Sequence, residues 1–329
     1  MKRAYLRVDG NTEIGLGHLI RCIALAQMIK DDFDIHFVSK DAPPQVIQDI
    51  LESNFKFIKI YKESAFFNLL KESDIVIIDH YGLDSKYQKK IKTKVYKLVC
   101  IDDLHDKSFD ADLIINHAPG VEPRDYDARS YSQFALGPNF ALLRPEFLKA
   151  ALERPKQNIN RRLLICFGGS DINNLTCQAL EALYSNPFFE EIFVITGVSF
   201  SFGHQLGKLV KLDNRIKWLE NQSAREMLEY MQKCQYVLAP ASSIAYELLS
   251  AGCTWLGGYY VENQKRIYEG FKQMNCLVDL GNLNKNLTPF LSKYDGSQIQ
   301  LLSKENPIDG KSDLRIKDLF TPYVSSITC

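Results

Sequence analysis

The sequence predicts an α/β protein built from two domains, each with a doubly wound parallel sheet. Short apolar runs of four to six residues alternate with helix-length segments along most of the chain, an order typical of βαβ units. The runs are apolar throughout, as expected of strands that helices cover on both faces. With 329 residues, the chain is long enough for two such domains.

The first half of the chain contains six strand-like runs. A helix is expected from His18 to Lys30, after a glycine-containing turn, and further helices are expected at Pro44–Ser53 and Tyr87–Thr93. The last run, DLIINH, is expected to be the final strand of this domain. The six runs are AYLRVD, IHFVSK, FKFIKI, DIVIID, YKLVCID and DLIINH.

A polar segment with proline and several charges, ERPKQNINRR, separates the two series and predicts a domain boundary near residue 155. The domains would be residues 1–155 and 156–329. In the second, LLICFGGSD, EIFVITG, IKWLE, YVLAP and TWLGGYY are the expected strands, with TWLGGYY the last. Helices are expected at Asn174–Tyr184, at Ala224–Lys233 and from Ser242. The more polar tail is expected to form short helices, one of them crossing back to the first domain.

Composition excludes several classes of function. Lys+Arg and Asp+Glu are equal at 40 each, so no excess charge attracts nucleic acid or an anionic membrane surface. No apolar run approaches the about 20 residues that a membrane span needs. The N-terminus lacks the apolar core of a signal peptide, and eight scattered cysteines indicate free thiols in a reducing compartment. We therefore expect a cytoplasmic protein that holds any anionic ligand by local geometry.

The segment Gly15-Leu16-Gly17-His18 lies between the first strand and the first helix. Glycines at this place allow a sharp turn and the close approach of a ligand. His18 is expected at the helix N-terminus, whose dipole disfavours a positively charged imidazolium, so a neutral general base is one interpretation. A loop in which His18 merely packs or forms a hydrogen bond is equally consistent with its position. The third glycine of a dinucleotide-binding motif is absent.

Polar groups follow three other strands of the first half. Because the carboxyl ends of parallel strands share one edge of a sheet, these groups are expected to converge on one rim. Each alone is more typical of a cap or loop. The adjacent aspartates are poorly arranged to chelate a metal as a pair, and no metal is expected. The groups are Asp79-His80-Tyr81-Gly82, Asp102-Asp103 and Asn116-His117.

Three segments of the second half are candidates for ligand binding. Ser242 and Ser243 begin a helix whose free N–H groups and two hydroxyls could hold a diphosphate, and Glu247, one turn later, could bind ribose hydroxyls. The alternative is an ordinary serine N-cap. The turn Gly168-Gly169-Ser170-Asp171 is either a ligand contact or a tight turn with an aspartate cap. The triplet around Asn263 is either a sugar contact or a surface loop.

These motifs together resemble the UDP-2,4-diacetamido-2,4,6-trideoxy-β-L-altropyranose hydrolases of pseudaminic acid biosynthesis. The chain is similar, more distantly, to spore-coat polysaccharide proteins and to the lipid II-forming N-acetylglucosaminyltransferase. The resemblance covers roughly residues 5–275, and the ordered set is more specific than any one motif. It depends on IGLGHLIRCIALA, VIIDHYGLD, CIDD, GPNFALLRPEF, ICFGGSDINN, APASSIAYELLSAG and VENQ.

The resemblance implies a GT-B-like fold with two Rossmann-type domains and an active site in the cleft between them. It implies a monomeric enzyme that hydrolyses a small-molecule UDP-sugar without metal or cofactor, the first domain carrying the catalytic base and the second binding UDP. A glycosyltransferase with another acceptor, or a non-enzymatic nucleotide-sugar sensor, stays open as an alternative. Phe167 and Ser170 depart from the family's turn, so sugar specificity could differ. The implied residues are His18 and Tyr81 for catalysis, and Gly15, Gly17, Arg144, Gly168, Gly169, Ser242, Ser243, Glu247 and Asn263 for UDP and substrate binding.

Overall fold

The structure, a computed structural model, describes residues 1–11, 16–153, 159–303 and 305–324. Contacts divide the chain into two compact units, Met1–Pro145 with Lys311–Cys329, and Glu146–Gly310. The boundary expected near residue 155 falls on residues outside the described ranges, so it stays a prediction. None of the helices in the described ranges is long and apolar enough to cross a membrane.

The first unit is organised around a parallel sheet. Seven of its strands form the sheet in the order β3-β2-β1-β4-β5-β7-β9, and β6 and β8 form a separate parallel pair. The central strand β4 is buried at all five positions, which explains its uninterrupted apolar sequence. The strands are β1 (Lys2–Val8), β2 (Phe33–Ser39), β3 (Lys56–Lys59), β4 (Ile75–Asp79), β5 (Lys97–Ile101), β6 (Ser108–Phe109), β7 (Leu113–Asn116), β8 (Asp127–Ala128) and β9 (Gln133–Leu136).

Helices connect these strands as βαβ units require. Helix α1 is apolar on most of its surface because it packs on the sheet, and ten of its thirteen residues are buried. Short 3-10 turns occur at Pro123–Asp125 and Pro138–Phe140. The helices are α1 (Gly17–Ile29), α2 (Pro44–Glu52), α3 (Glu63–Leu69) and α4 (Ser85–Lys92), and α5 (Pro145–Glu153) begins at the last residue of the N-terminal segment of this unit.

The second unit repeats the design with six parallel strands in the order β12-β11-β10-β13-β14-β15. One core of apolar side chains, from Leu163 to Tyr294, packs between this sheet and its helices. Short 3-10 turns occur at Glu262–Gln264 and Ser297–Leu301. The elements are β10 (Arg162–Ile165), α6 (Leu175–Leu183), β11 (Glu191–Thr196), α7 (Gly203–Leu212), β12 (Ile216–Glu220), α8 (Ala224–Lys233), β13 (Tyr236–Pro240), α9 (Ser243–Ser250), β14 (Thr254–Tyr259), α10 (Lys265–Gln273), β15 (Leu277–Asn282) and α11 (Leu283–Leu291).

Helix α12 (Ser312–Val324) belongs to the first unit, where it contacts α1. The Ser312 hydroxyl donates to the Ala141 carbonyl at 2.7 Å, and Arg315 Nη1 donates to the Asn139 carbonyl at 3.1 Å. The prediction that part of the tail returns to the first part of the chain is therefore confirmed.

Two predicted sheet edges were wrong. Strand β9 continues the first sheet beyond DLIINH, and β15 continues the second beyond TWLGGYY. Both are edge strands with one partner, so they need less apolar sequence than central strands do. Gln133 is exposed at the start of β9, and Asp279 is exposed in the middle of β15. These polar residues interrupt the apolar run from which a strand is predicted.

Both strand orders place a switch point beside the first strand of the sheet. In the first sheet, the chain goes from β1 outward through β2 to β3 and then returns to β4, from which it continues to the opposite edge; in the second sheet, β10 and β13 take the places of β1 and β4. Ligands of such sheets bind at the carboxyl ends of the two strands that flank this change of direction. The switch point lies between β1 and β4 in the first unit and between β10 and β13 in the second. Val8 is paired with Asp79, so both of these strands end together.

Candidate active site

His18 lies at the switch point of the first sheet, as the second residue of α1, with 6% of its surface exposed. Its Nδ1 lies 2.6 Å from Oδ1 of Asp79, the last residue of β4, which is 1% exposed. The structure therefore brings together two residues that the sequence placed on one rim. A buried carboxylate in contact with a histidine can hold the imidazole in one orientation and one tautomer.

Arg21 joins His18 and Asp79. Its Nε and Nη2 donate to the two oxygens of Asp79, each at 2.6 Å. Burial alone would raise the pKa of Asp79, but the charge of Arg21 and the contact with His18 hold that pKa well below its ordinary value. Asp79 is thus a carboxylate without a proton to donate, so Nδ1 of His18 carries the proton in the short contact. In this tautomer Nε2 is left as the basic nitrogen.

Tyr81 and Asp103 complete the group. The Tyr81 and His18 rings meet edge to face with centroids 4.5 Å apart. The Tyr81 hydroxyl and Arg21 Nη1 each donate to Oδ2 of Asp103 at 3.0 Å. The five side chains His18, Arg21, Asp79, Tyr81 and Asp103 form a closed ring of contacts, which we call the His18 cluster.

The charge of the His18 cluster favours a base at His18. With a neutral imidazole, one guanidinium faces two carboxylates, so the net charge is −1. When His18 takes up a proton, the net charge becomes zero. A proton transfer to His18 therefore leaves no net charge in this buried cluster. The cluster is therefore able to remove a proton from water or a hydroxyl group.

A second buried group ties the loop after β1 to the loop after β4. Arg7 donates to both oxygens of Asp9, at 2.7 and 2.8 Å. His80 Nε2 lies 3.1 Å from Asp9 Oδ2. Burial would raise the pKa of Asp9, yet His80 and Arg7 lower it well below its ordinary value. This arrangement fixes the backbone on both sides of the switch point.

The other rim residues of the first sheet serve local structure. Oδ2 of Asp102 accepts from the backbone N–H of His105 at 3.0 Å, and burial raises the pKa of Asp102. The Asn116 amide donates to the Tyr126 hydroxyl at 2.9 Å. The adjacent aspartates thus have different surroundings, and only Asp103 belongs to the His18 cluster.

His117 is a buried neutral histidine near the His18 cluster. Burial, and then the charge of Arg21, lowers its pKa to about 3. Its Nδ1 accepts from the backbone N–H of Leu142 at 3.4 Å, so the proton of the neutral ring is on Nε2. At neutral pH His117 is therefore an uncharged ring whose Nε2–H can donate a hydrogen bond.

The glycine turn of the second unit follows β10. Gly168 has a φ of +86°, a conformation that favours glycine. A Cβ on Gly197 would lie 2.6 Å from the Cα of Gly169, so the two backbones pack without room for a side chain. Both oxygens of Asp171 accept from the first two backbone N–H groups of α6, at 2.8 Å each. The interpretation of Asp171 as a cap is confirmed.

Ser242 and Ser243 lie at the start of α9, after β13, at the switch point of the second sheet. The Ser242 side chain makes no hydrogen bond to the backbone of the helix that it precedes. Ser223 differs, because its hydroxyl accepts from the Glu226 backbone N–H at the start of α8. Glu247 lies one turn into α9 and is buried. The hydroxyl of Ser242 and the helix N–H groups can therefore serve a ligand.

The remaining candidates occupy separate places. Asn263 lies in the 3-10 turn after β14, at the same edge of the second sheet as Ser242. Gly17 is the first residue of α1. Arg144 is half-buried and lies one residue before α5, outside the His18 cluster. Gly15 lies outside the described residues.

Arg21 was not among the site residues predicted from the sequence. Its signal was present, since Arg21 is three residues after His18 and therefore shares a face of α1 with it. A charged residue on the apolar helix HLIRCIALA requires a buried partner. What the sequence did not show was which carboxylates provide it.

No protein-family model matches the chain. The chain is 30% identical over 277 residues to the uncharacterized protein MJ1062 of Methanocaldococcus jannaschii, covering 80% of this chain but only 57% of that protein. It is 27% identical over 275 residues to UDP-2,4-diacetamido-2,4,6-trideoxy-β-L-altropyranose hydrolase of Campylobacter jejuni, covering 80% of this chain and 93% of the hydrolase. It is 23% identical to the spore coat polysaccharide biosynthesis protein SpsG of Bacillus subtilis over 324 residues, 94% of each chain. The chain is thus a distant relative of the hydrolase and of SpsG.

Solved structures share the fold over nearly the whole chain. S. aureus MnaA, in a co-structure with UDP, superimposes with a TM-score of 0.64 at 14% identity, covering 100% of this chain and 98% of that one. MurG of Acinetobacter baumannii gives 0.58 at 11% identity, covering 98% and 100%. Anabaena HepE, in complex with UDP and glucose, gives 0.57 at 11% identity, covering 99% and 100%. The predicted GT-B-like α/β fold, with two Rossmann-type parallel sheets, is confirmed.

Proposed function

We propose that the protein is a hydrolase that removes UDP from UDP-2,4-diacetamido-2,4,6-trideoxy-β-L-altropyranose, with inversion at the anomeric carbon, in pseudaminic acid biosynthesis. The contact between His18 and Asp79 carries the proposal, because it leaves Nε2 of a buried, oriented imidazole as a base. The relatives and structural neighbours support a GT-B-like enzyme that acts on UDP-sugars. The C. jejuni relative supports water as the acceptor and this sugar as the substrate.

The proposed reaction is a single displacement. His18 Nε2 takes a proton from water while the oxygen forms a bond to the anomeric carbon on the face opposite UDP. The bond from that carbon to the diphosphate oxygen breaks, and UDP leaves with the electron pair. The proton on His18 brings the His18 cluster to zero net charge, which lowers the energy of the charge that develops. Tyr81 holds the His18 ring by its edge-to-face contact.

The second unit supplies the nucleotide site in this proposal. The N–H groups at the start of α9 and the hydroxyls of Ser242 and Ser243 bind the diphosphate and stabilise UDP as it leaves. Glu247 accepts from ribose hydroxyls, and Asn263 contacts the substrate. Gly168 and Gly169 allow the ligand to approach the backbone, and Arg144, Gly15 and Gly17 contribute to binding in the first domain. The proposal thus assigns the chemical step to the first domain and UDP to the second.

The test is incubation with this UDP-sugar, without an acceptor, followed by NMR of UDP and the free sugar. We expect equal release of both, with the inverted anomer appearing first. His18→Asn is expected to lower kcat by about 10²- to 10⁴-fold because it removes the base. His36→Asn is the matched control, since His36 is another buried histidine, 2.8 Å from Asp34, away from the His18 cluster. Full turnover by a folded His18→Asn variant would refute the mechanism.

Other outcomes would indicate other activities on the same scaffold. UDP release that depends on an added acceptor would indicate a glycosyltransferase, in which His18 deprotonates a hydroxyl of that acceptor. A sugar that changes configuration while still attached to UDP would indicate an epimerase. Tight binding without any change in the ligand would indicate a nucleotide-sugar sensor.

A further inference from the structure

One oxygen of Asp103 has no protein partner in the described residues. Oδ2 accepts from Arg21 and Tyr81, whereas Oδ1 is buried and accepts from no group within those ranges. The side chain is only 9% exposed. A carboxylate oxygen removed from water without a hydrogen bond costs free energy, so its persistence needs a reason.

An unpartnered oxygen alone does not mark a ligand site. Asp110 provides the comparison, because its Oδ1 accepts from Arg129 at 2.7 Å while its Oδ2 is buried without a partner in the described ranges. Asp110 precedes β7, at the amino edge of the sheet. Asp103 instead follows β5 at the carboxyl edge, where it contacts Arg21 and Tyr81, two other members of the His18 cluster. Only Asp103 therefore lies at the edge of the sheet where ligands bind.

We propose that Oδ1 of Asp103 accepts a hydrogen bond from a donor on the sugar, so that Asp103 determines substrate specificity. This inference rests on the proposed function, and it adds a residue for which the sequence analysis gave no ligand role. Arg21 and Tyr81 both donate to Oδ2 of Asp103, and these two contacts fix the position of Oδ1. An acceptor of this kind favours an N–H or O–H group and rejects a substituent that presents only oxygen lone pairs. The proposed sugar offers three such donors, two acetamido N–H groups and one hydroxyl.

The test combines one variant with modified substrates. In Asp103→Asn, the amide oxygen remains with the Arg21 and Tyr81 donors, so the NH₂ group replaces Oδ1 and an acceptor becomes a donor. The substrates are the UDP-sugar and three analogues, in which one acetamido group at a time becomes acetoxy or the hydroxyl is removed. Asp110→Asn is the matched control, since Asp110 also has one oxygen bound by an arginine and one buried oxygen without a partner in the described residues, at the opposite edge of the sheet.

The expected result is a coupling between Asp103 and one donor. Asp103→Asn lowers kcat/KM for the full substrate by about 10- to 100-fold, the effect of one hydrogen bond to a charged group. The wild-type enzyme loses a similar factor with one analogue only, and the variant loses nothing further with that analogue. Asp110→Asn keeps the wild-type pattern over all four substrates.

An equal loss on all four substrates, or no loss on any, would overturn the role of Asp103 while leaving the hydrolase proposal intact. Absence of turnover by the wild-type enzyme would instead overturn the hydrolase proposal. In that case, the hydrogen bond between Asp103 and the sugar is tested by binding instead. The four ligands are titrated calorimetrically into the His18→Asn variant and into the double variant His18→Asn, Asp103→Asn. The same coupling in affinity would support the role of Asp103, and uniform affinities or no binding would overturn it.

Discussion

Replacing Asp79 with asparagine perturbs a carboxylate in which both oxygens already accept hydrogen bonds. Oδ1 faces His18 Nδ1 and Arg21 Nη2, and Oδ2 faces Arg21 Nε, all at 2.6 Å. An asparagine must present its NH₂ group to one of these two sets of donors. If it faces His18, the proton of the imidazole moves to Nε2 and the base is lost. If it faces Arg21, the guanidinium is displaced and the His18 cluster opens.

Either orientation should reduce turnover far more than an ordinary buried substitution. Loss of an orienting carboxylate in a comparable His–Asp pair costs on the order of 10⁴ in kcat. We expect a reduction of about 10³- to 10⁴-fold, which corresponds to about 4–5.5 kcal/mol of transition-state stabilisation. The exchange also leaves Arg21 with an incomplete partner, so stability should fall by about 3–5 kcal/mol.

Asp74→Asn separates the catalytic effect from the structural one. Asp74 precedes β4, at the opposite end of the same strand. It is buried and pairs through both oxygens with Arg3, which is partly exposed, at 3.0 and 2.8 Å. We expect Asp74→Asn to lower the urea midpoint but to preserve kcat. The assay is UDP release at saturating substrate, with circular dichroism to establish folding. A folded Asp79→Asn variant with kcat within about tenfold of wild type would refute the orienting role.

Two further predictions concern other parts of the molecule. Ser242→Ala should weaken UDP binding by about tenfold in calorimetry with little change in Tm, because the Ser242 hydroxyl does not cap α9. Ser223→Ala should leave UDP binding unchanged but lower stability by about 1 kcal/mol, because it removes the cap of α8. A Ser242→Ala variant that lost stability but kept its affinity for UDP would contradict the diphosphate site. The pKa of His117 is about 3 in the folded protein and about 6.5 in the unfolded chain, so between these pH values the unfolded chain binds more protons. The stabilisation that the neutral His117 provides is therefore complete above pH 6.5 and is lost as the pH falls. The wild-type free energy of unfolding should therefore fall by roughly 2 kcal/mol more than that of His117→Asn between pH 7 and 5, and equal slopes in urea titrations would refute a buried neutral His117.

Much of the fold follows from local sequence. Helix α8 occupies the predicted Ala224–Lys233, where Ser223 and Glu226 form a capping box that the order of residues dictates. The central strands are apolar because helices cover them on both faces, and that pattern is visible without coordinates. Polar residues at strand ends, such as Asp79, mark the carboxyl edge of a parallel sheet.

Tertiary structure alone decided how the charges pair and where each sheet ends. Arg21 binds Asp79, 58 residues away, and Asp103, 82 residues away, because the order β1-β4-β5 places those strand ends side by side. Strand order is a long-range property that local periodicity does not encode. The same reason explains the edge strands β9 and β15, whose single partners permit polar sequence. The sequence by itself determined the fold class and placed His18 at a strand-to-helix turn, whereas the buried partners that make His18 a base depend on the packing of distant segments.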